Sequence, residues 1–326
     1  MNINDYSSVF ILTDDNVAPF WLPELCYWMD SKNAIDIIIR SGEEQKNLRT
    51  VQRIWKTLQK HHADRHSLLI NLGGGVITDL GGFAASTYMR GIDFVNVPTT
   101  LLAMVDAAIG GKTGVDFGGC KNQIGTFAQP KEICYFPSVL MTLPQREILS
   151  GMAEMLKYGF IADDELLKVG LDNYEQYISR CADIKKQIVA EDPLEQGNRK
   201  ILNFGHTLGH AFESFSLTTN SPLRHGEAVA LGMWCALWIS VKKCGLEEVV
   251  LHDFEEKLPM LLNEAQVAVR EKDIDEILTY LAHDKKNISN QTQFVLIEAV
   301  GKPIIDQEVS ENLIRESVNE LLKIVR

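Results

Sequence analysis

The first 144 residues alternate short β-branched runs with amphipathic stretches, and that alternation leaves few folds open. SVFILT (8–13), IDIIIR (35–40), SLLINL (67–72), DFVNVP (93–98) and EICYF (132–136) each read as a strand. Between them, LRTVQRIWKTLQK (48–60) carries Leu48, Val51, Ile54, Trp55 and Leu58 at helical spacing and reads as a covering helix. Strands that alternate with helices predict a parallel α/β sheet wrapped on both faces. After Leu143-Pro144 the pattern becomes mainly helical, broken by Gly and Pro, with one strand pair expected near QFVLIEAVGKPII (293–305). The chain therefore divides into an α/β domain over 1–144 and a mainly α-helical domain over 145–326. A cleft between the halves is the expected place for a ligand.

At 326 residues the chain is long enough for two domains, each with its own core. A net charge of -12 and a pI near 5.2 oppose a broad nucleic-acid footprint. A small anionic ligand stays open, because a pocket can be locally basic within an acidic protein. No apolar run reaches the roughly 18 residues that span a bilayer, and MNINDYSSVF lacks the basic start and apolar core of a signal peptide. Cytoplasmic residence with no membrane partner is the expectation. The six cysteines contain no C-x-x-C pair, which argues against a disulfide framework and against a thiolate zinc site.

Two glycine-rich stretches suggest anion binding. NLGGGVITDLGG (71–82) begins at the end of a predicted strand and enters a helix, so its backbone N–H groups can meet a phosphate. It is not G-x-G-x-x-G, since Thr78 holds the third glycine position. DAAIGGKTG (106–114) approaches a Walker A loop, but Asp106 stands where the first glycine belongs. It reads instead as a flexible loop carrying Lys112, with Lys121 and Asn122 following in GGCKNQIG, and two lysines there can grip an anion.

The helical half offers metal ligands. NFGHTLGHAFE (203–213) reads as helix and puts His206 and His210 four residues apart on one face. Spacing alone allows both to bind one metal, yet Thr207 stands where an H-E-x-x-H motif has glutamate. GMAEMLKYG (151–159) sets Glu154 and Lys157 three apart amid apolar residues, and RHGEAVALGM (224–233) starts another helix with His225. A carboxylate and imidazoles from separate helices suit a catalytic zinc site with an open position. Structural, hydrogen-bonded histidines are the competing reading.

Taken in order, GGGVITDLGGFAASTYMRG, VPTTLLAMVDAAIGGKTGVD, KNQIGTF, GMAEMLKYG, LNFGHTLGHAFE, HGEAVALGM and DKK resemble 3-dehydroquinate synthase, from about Thr13 to Gly301. The resemblance implies a Rossmann-like NAD domain with a parallel sheet, followed by a helical metal- and substrate-binding domain, in a homodimer. It implies NAD contacts at Asp14, Asn16, Glu43, Lys46, Gly74, Gly75, Val76, Asp79, Thr99, Thr100, Lys121 and Thr142. It implies a zinc or cobalt ion on Glu154, His206 and His225. Substrate contacts are implied at Arg90, Asp106, Lys112, Lys121, Asn122, Lys157, Lys185, Arg199, Asn203, His210 and Lys285. Lys157, His210, Asn203 and Lys112 are the residues expected to assist catalysis.

The reaction so implied takes 3-deoxy-D-arabino-heptulosonate 7-phosphate to 3-dehydroquinate and phosphate. Oxidation at carbon 4 by NAD+ acidifies a neighbouring C–H, phosphate leaves, the hydride returns, and an intramolecular aldol step closes the carbocycle. The chain departs from the family at Thr78, which bears on NAD affinity, and at Pro193 and Leu194, which replace charged residues ahead of Arg199. Three alternatives remain: a cyclase making a valiolone or an inosose, a metal-dependent polyol dehydrogenase, and a non-enzymatic NAD sensor.

Overall fold

The computed structural model describes residues 3–29, 33–118, 120–282 and 292–325. The chain forms two compact units, Met1–Pro144 and Gln145–Arg326. In the first, the strands are β1 (Val9–Asp14), β2 (Ile35–Ile39), β3 (Leu68–Gly73), β4 (Asp93–Pro98), β5 (Lys112–Phe117), β6 (Cys120–Phe127) and β7 (Glu132–Ile133). Five of them make a parallel sheet in the order β2-β1-β3-β4-β7. This is the 2-1-3-4-5 arrangement of doubly wound folds, whose switch point lies between β1 and β3.

Three helices serve this sheet: α1 (Ala18–Trp28), α2 (Leu48–Lys60) and α3 (Gly75–Thr87). Asp14 turns the chain from β1 into α1, its Oδ1 accepting the Asn16 and Val17 N–H groups at 2.9 and 3.0 Å. Phe10, Leu12, Leu69 and Phe94 form one core with Val51, Ile54 and Leu58 of α2 and Ile77, Leu80 and Phe83 of α3. The alternate residues Ile11, Ile70 and Val95 are buried as well, so both strand faces are covered and the runs are apolar throughout. Each such side chain contributes about 1.5–3 kcal/mol by leaving water.

Two expectations change here. EICYF is a strand only over Glu132–Ile133, because Phe136 stacks on Trp28 at 4.5 Å and Pro137 opens a 3-10 turn, Pro137–Thr142. The supposed flexible loop carrying Lys112 and Lys121 is ordered: β5 and β6 are an antiparallel hairpin, preceded by a π-helical turn, Ala103–Ala107. Gly114 and Gly125 face each other across the hairpin, and a methyl group on either would collide with the opposite backbone. Glycine richness here permits close strand approach and does not make a loose loop.

The second unit is built on α4 (Gln145–Ile161), α5 (Ile178–Glu191), α6 (His206–Ser216) and α7 (His225–Cys244). It is completed by α8 (Glu248–Glu255), α9 (Leu258–Leu261), α10 (Ile274–Ala282), the hairpin β8 (Gln293–Ala299) and β9 (Lys302–Glu308), and α11 (Glu311–Ile324). The 20-residue α7 is buried along most of its length and packs against α4, α6, α8, α11 and β8. Two of these contacts require glycine: Gly226 lies on the Ser150 backbone of α4, and Gly232 lies on the Gly205 carbonyl ahead of α6. Among the described residues no helix is long and apolar enough to cross a membrane.

Because Gly232 meets backbone that no side-chain movement can clear, Gly232→Ala is expected to destabilise the C-terminal unit by about 1–3 kcal/mol, as overpacking does elsewhere. Thermal unfolding of the variant reports this, and an unchanged melting temperature would contradict the close approach of α6 and α7.

Candidate active site

Three elements of the C-terminal unit converge on one carboxylate. Glu154 sits in α4 with no exposed surface, held at a position where its neighbours Met152, Ala153, Met155 and Leu156 are core residues. Its Oε1 lies 3.3 Å from His206 Nε2 and 3.4 Å from His225 Nε2, and its Oε2 contacts the Lys157 ammonium one turn along α4. Neither oxygen accepts a hydrogen bond of normal geometry. A buried carboxylate in that condition calls for a cation at close range.

The two imidazoles are aimed by what holds their other nitrogens. His206 Nδ1 is 3.0 Å from the Phe204 carbonyl, a bond in which the nitrogen donates and Nε2 keeps its lone pair towards Glu154. His225 Nδ1 is 3.4 Å from Glu213 Oε2, which orients that ring with Nε2 towards Glu154. Ring centroids of His206, His210 and His225 lie 5.3 to 5.9 Å apart. Burial raises the Glu154 acid, but Lys157 and His206 outweigh it and hold the carboxyl well below its usual range. Burial lowers His206, and it would lower His225 too, had Glu213 and Glu154 not pushed that imidazole up to about 10. Donor atoms of Glu154, His206 and His225 lie within 4.8 Å of one another, a set that could hold a metal ion. His210, Glu213 and His225 form a second group whose donor atoms lie within 4.8 Å of one another.

Around this centre the unit collects cations. Lys157, Lys185 and Arg199 are 1%, 6% and 1% exposed, values that these side chains reach only when built into a site or a network. Arg199 belongs to a 3-10 turn, Asn198–Asn203, against which α4 and α5 both pack. Its guanidinium donates to the Pro193 carbonyl at 2.6 Å, and Asn203 donates to Glu195 at 2.9 Å. Asp192 ties the same loop together by accepting the Gln196, Gly197 and Arg199 N–H groups. Asn203 is not on the helix of His206, as its sequence context suggested. Gly205, at φ +77°, separates the two, so the chain turns before α6 begins. Lys285 lies outside the described residues.

In the N-terminal unit the loops after β1, β3 and β4 leave one edge of the sheet, where doubly wound folds bind ligands. At that edge stand Asp14, the last residue of β1, and Asn16; Gly74, with Gly75, Val76 and Asp79 in the first turns of α3; and Thr99 and Thr100. Gly74 packs on Thr100, and α3 starts there with no side-chain cap on its N–H groups. Thr78 is buried and donates its hydroxyl to the Gly75 carbonyl at 3.1 Å, so it replaces glycine without projecting from the loop. The Thr99 hydroxyl is buried with no hydrogen-bond partner. Thr142 accepts from Trp21 Nε1 at 2.8 Å.

Nearby, Lys46 pairs with Asp79 at 2.7 Å and Lys121 with Glu43 at 3.5 Å. Burial would lower Lys46, yet Asp79, Glu43 and Asp116 keep it above the ordinary lysine value. Asn122, at φ +51°, is held by the Asp116 carboxylate at 2.8 Å. Asp106 occupies the π-helical turn that leads to Lys112. Lys112 is at the far end of the hairpin from Lys121 and Asn122, about 15 Å away at strand rise. Arg90, at φ +69°, follows the C-terminus of α3. It is separated from Gly75 by roughly 20 Å of helix, so the chain does not bring it to the glycine loop.

Sequence reading passed over Asp116 and Glu213, and it noted Glu227 beside His225 without giving it a role. Glu213 stands seven residues after His206 and three after His210, which is one helix face, and that spacing was the available signal. Glu227 is 1% exposed and accepts the Arg224 N–H at 2.7 Å, fixing the first turn of α7. Arg146 binds both its oxygens, at 2.5 and 2.7 Å. His225 is therefore placed by a capped helix start braced against α4.

Solved structures define the class. The fold matches 2-deoxy-scyllo-inosose synthase complexed with carbaglucose-6-phosphate, NAD+ and Co2+, at TM-score 0.87 and 25% identity over 98% of this chain and 92% of that one. It matches 2-epi-5-epi-valiolone synthase from Streptomyces hygroscopicus subsp. jinggangensis 5008, with NAD+ and Zn2+ bound, at 0.85, 25% identity and the same coverage. Both are sugar phosphate cyclases. Glycerol dehydrogenase from Schizosaccharomyces pombe shares the fold alone, at TM-score 0.63 and 13% identity over 99% of this chain and 85% of that one.

The sequence narrows the class. Residues 36–150 match the 3-dehydroquinate synthase N-terminal model and 151–287 the C-terminal model. The 3-dehydroquinate synthase of Parabacteroides distasonis is 40% identical over 96% of this chain and 91% of its own length, and that of Clostridium tetani is 37% identical over 98% and 87%. The chain belongs to the 3-dehydroquinate synthase family.

Removing Arg146 leaves the buried Glu227 uncompensated, a change that elsewhere costs about 3–5 kcal/mol and here is expected near the lower figure, because Arg146 is partly exposed. Urea unfolding of Arg146→Ala and Glu227→Gln, singly and together, measures it. Additive losses would show that the pair is not coupled.

Proposed function

We propose that this chain is a 3-dehydroquinate synthase, releasing phosphate from 3-deoxy-D-arabino-heptulosonate 7-phosphate and forming 3-dehydroquinate with NAD+ and a divalent metal, zinc or cobalt. The observation that carries the reading is the Glu154–His206–His225 set, with Glu154 and His206 buried and His225 partly so, within a unit that also buries Lys157, Lys185 and Arg199. A substrate bearing both a phosphate and a carboxylate needs that excess of cations, and a neutral polyol does not.

The residues divide the work as follows. The glycine loop and the open N-terminus of α3 receive the pyrophosphate of the dinucleotide, with Asp14, Asn16, Val76, Thr99, Thr100 and Thr142 around it. Glu43, Lys46, Asp79 and Lys121, already joined in ion pairs, fix the surrounding wall. Arg199, Lys185 and Lys157 bind the substrate's anionic groups, and Asn203 and His210 bind its hydroxyls. His210 and Lys157 hold and pass protons, His210 because it lies beside the two metal-directed imidazoles. Lys112 and Asp106 extend the substrate contacts from the hairpin and its π-helical turn. When bound, NAD+ supplies reversible hydride acceptance and the metal supplies Lewis acidity at a hydroxyl. We further propose a cytoplasmic homodimer.

With substoichiometric NAD+ and added zinc, the protein is expected to release phosphate without net NADH. Stoichiometric NADH would instead support a polyol dehydrogenase, and absence of turnover by metal-replete protein would sink the cyclase reading. Metal analysis is expected to find less zinc on Glu154→Ala and His225→Ala. For His210→Ala, retained zinc with lost turnover is expected, and lost zinc would make His210 a ligand.

A further inference from the structure

Resting on the metal site proposed above, we infer that Glu213 is a positioning residue for His225, an outer carboxylate that turns the imidazole so that Nε2 presents its lone pair to the metal. Glu213 is 5% exposed in α6, and its Oε2 lies 3.4 Å from His225 Nδ1 while Nε2 of the same ring lies 3.4 Å from Glu154. The ring is held between two carboxylates. A half-turn about its bond to Cβ would exchange both nitrogens for carbons and lose both contacts, so only one orientation satisfies the pair.

The two metal-directed imidazoles differ in what supports them. His206 donates to a neutral carbonyl of Phe204, two residues away in its own chain segment. His225 is the first residue of α7, where the helix start fixes the backbone and leaves the ring to be aimed by a neighbour. Glu213 reaches it from another helix, across the close contact that Gly209 makes with Val229. A carboxylate on the far nitrogen both sets the tautomer and raises the basicity of the metal-directed one, and removing such partners typically lowers metal affinity 10–100-fold. The alternative place for an ion, among His210, Glu213 and His225, would make Glu213 a direct ligand.

The test is chelator competition for Zn2+ on the full chain, with Co2+ absorption as the spectroscopic readout. Glu213→Gln keeps shape and an acceptor but no charge, and is expected to bind one Zn2+ about tenfold more weakly, with an unaltered Co2+ spectrum. Glu213→Leu is expected to lose about 100-fold, and the isosteric variant decides alone should this one not fold. Affinity within twofold of the unaltered chain in Glu213→Gln overturns the inference. So does a changed Co2+ ligand spectrum, or complete loss of metal in Glu213→Gln while His206→Ala binds normally, either of which makes Glu213 a ligand. Failure of the unaltered chain to bind a stoichiometric ion overturns the metal reading itself.

Discussion

A carboxylate with no exposed surface is the constraint on which the C-terminal unit depends. Burying Glu154 is expensive in desolvation, and an ion pair with Lys157 alone rarely recovers that cost in a protein interior. Replacing both by hydrophobic residues of similar volume would serve the fold at least as well. That the chain instead brings Nε2 of both His206 and His225 to the same oxygen makes sense as function. The helices are then arranged to keep that geometry. Gly226 lets α7 touch α4, Gly232 lets it touch the turn before α6, and the Glu227–Arg146 pair locks the residue beside His225.

The N-terminal unit meets the opposite demand, since it must offer backbone where the other offers side chains. Its sheet buries both faces, so the strands are committed to the core and only the loops leaving their carboxyl ends are free to vary. Those loops are short, the one after β3 is glycine-rich, and Asp79 beside it is ion-paired with Lys46. Lys46 shows the result: 5% exposed and paired with Asp79 at 2.7 Å, it is a fixed positive charge sheltered from solvent.

Much of this was legible in the sequence, for identifiable reasons. Strands and covering helices announced themselves by period, and the change of pattern at Leu143-Pro144 falls where the two compact units divide. Short-range chemistry misled where glycine has two meanings. Composition alone does not separate a flexible loop from a hairpin whose strands touch through Gly114 and Gly125. It does not show that Gly205 breaks the helix between Asn203 and His206 either. Glu213 and Asp116 were missed because each acts through another residue, and such support has no motif of its own; it is defined by which neighbour the fold supplies.

The i, i+4 histidines illustrate the limit of spacing most directly. Helical geometry puts His206 and His210 on one face, and their rings do lie 5.3 Å apart, edge to face. What separates their surroundings is position along α6. His206 is the first residue of the helix, where the Phe204 carbonyl is within reach of Nδ1 and Glu154 lies opposite Nε2. One turn later no backbone carbonyl is spare, because the helix has consumed them. His210 lies beside both rings but outside the Glu154, His206 and His225 set. Identical side chains on one face thus meet different neighbours according to where along the helix they stand.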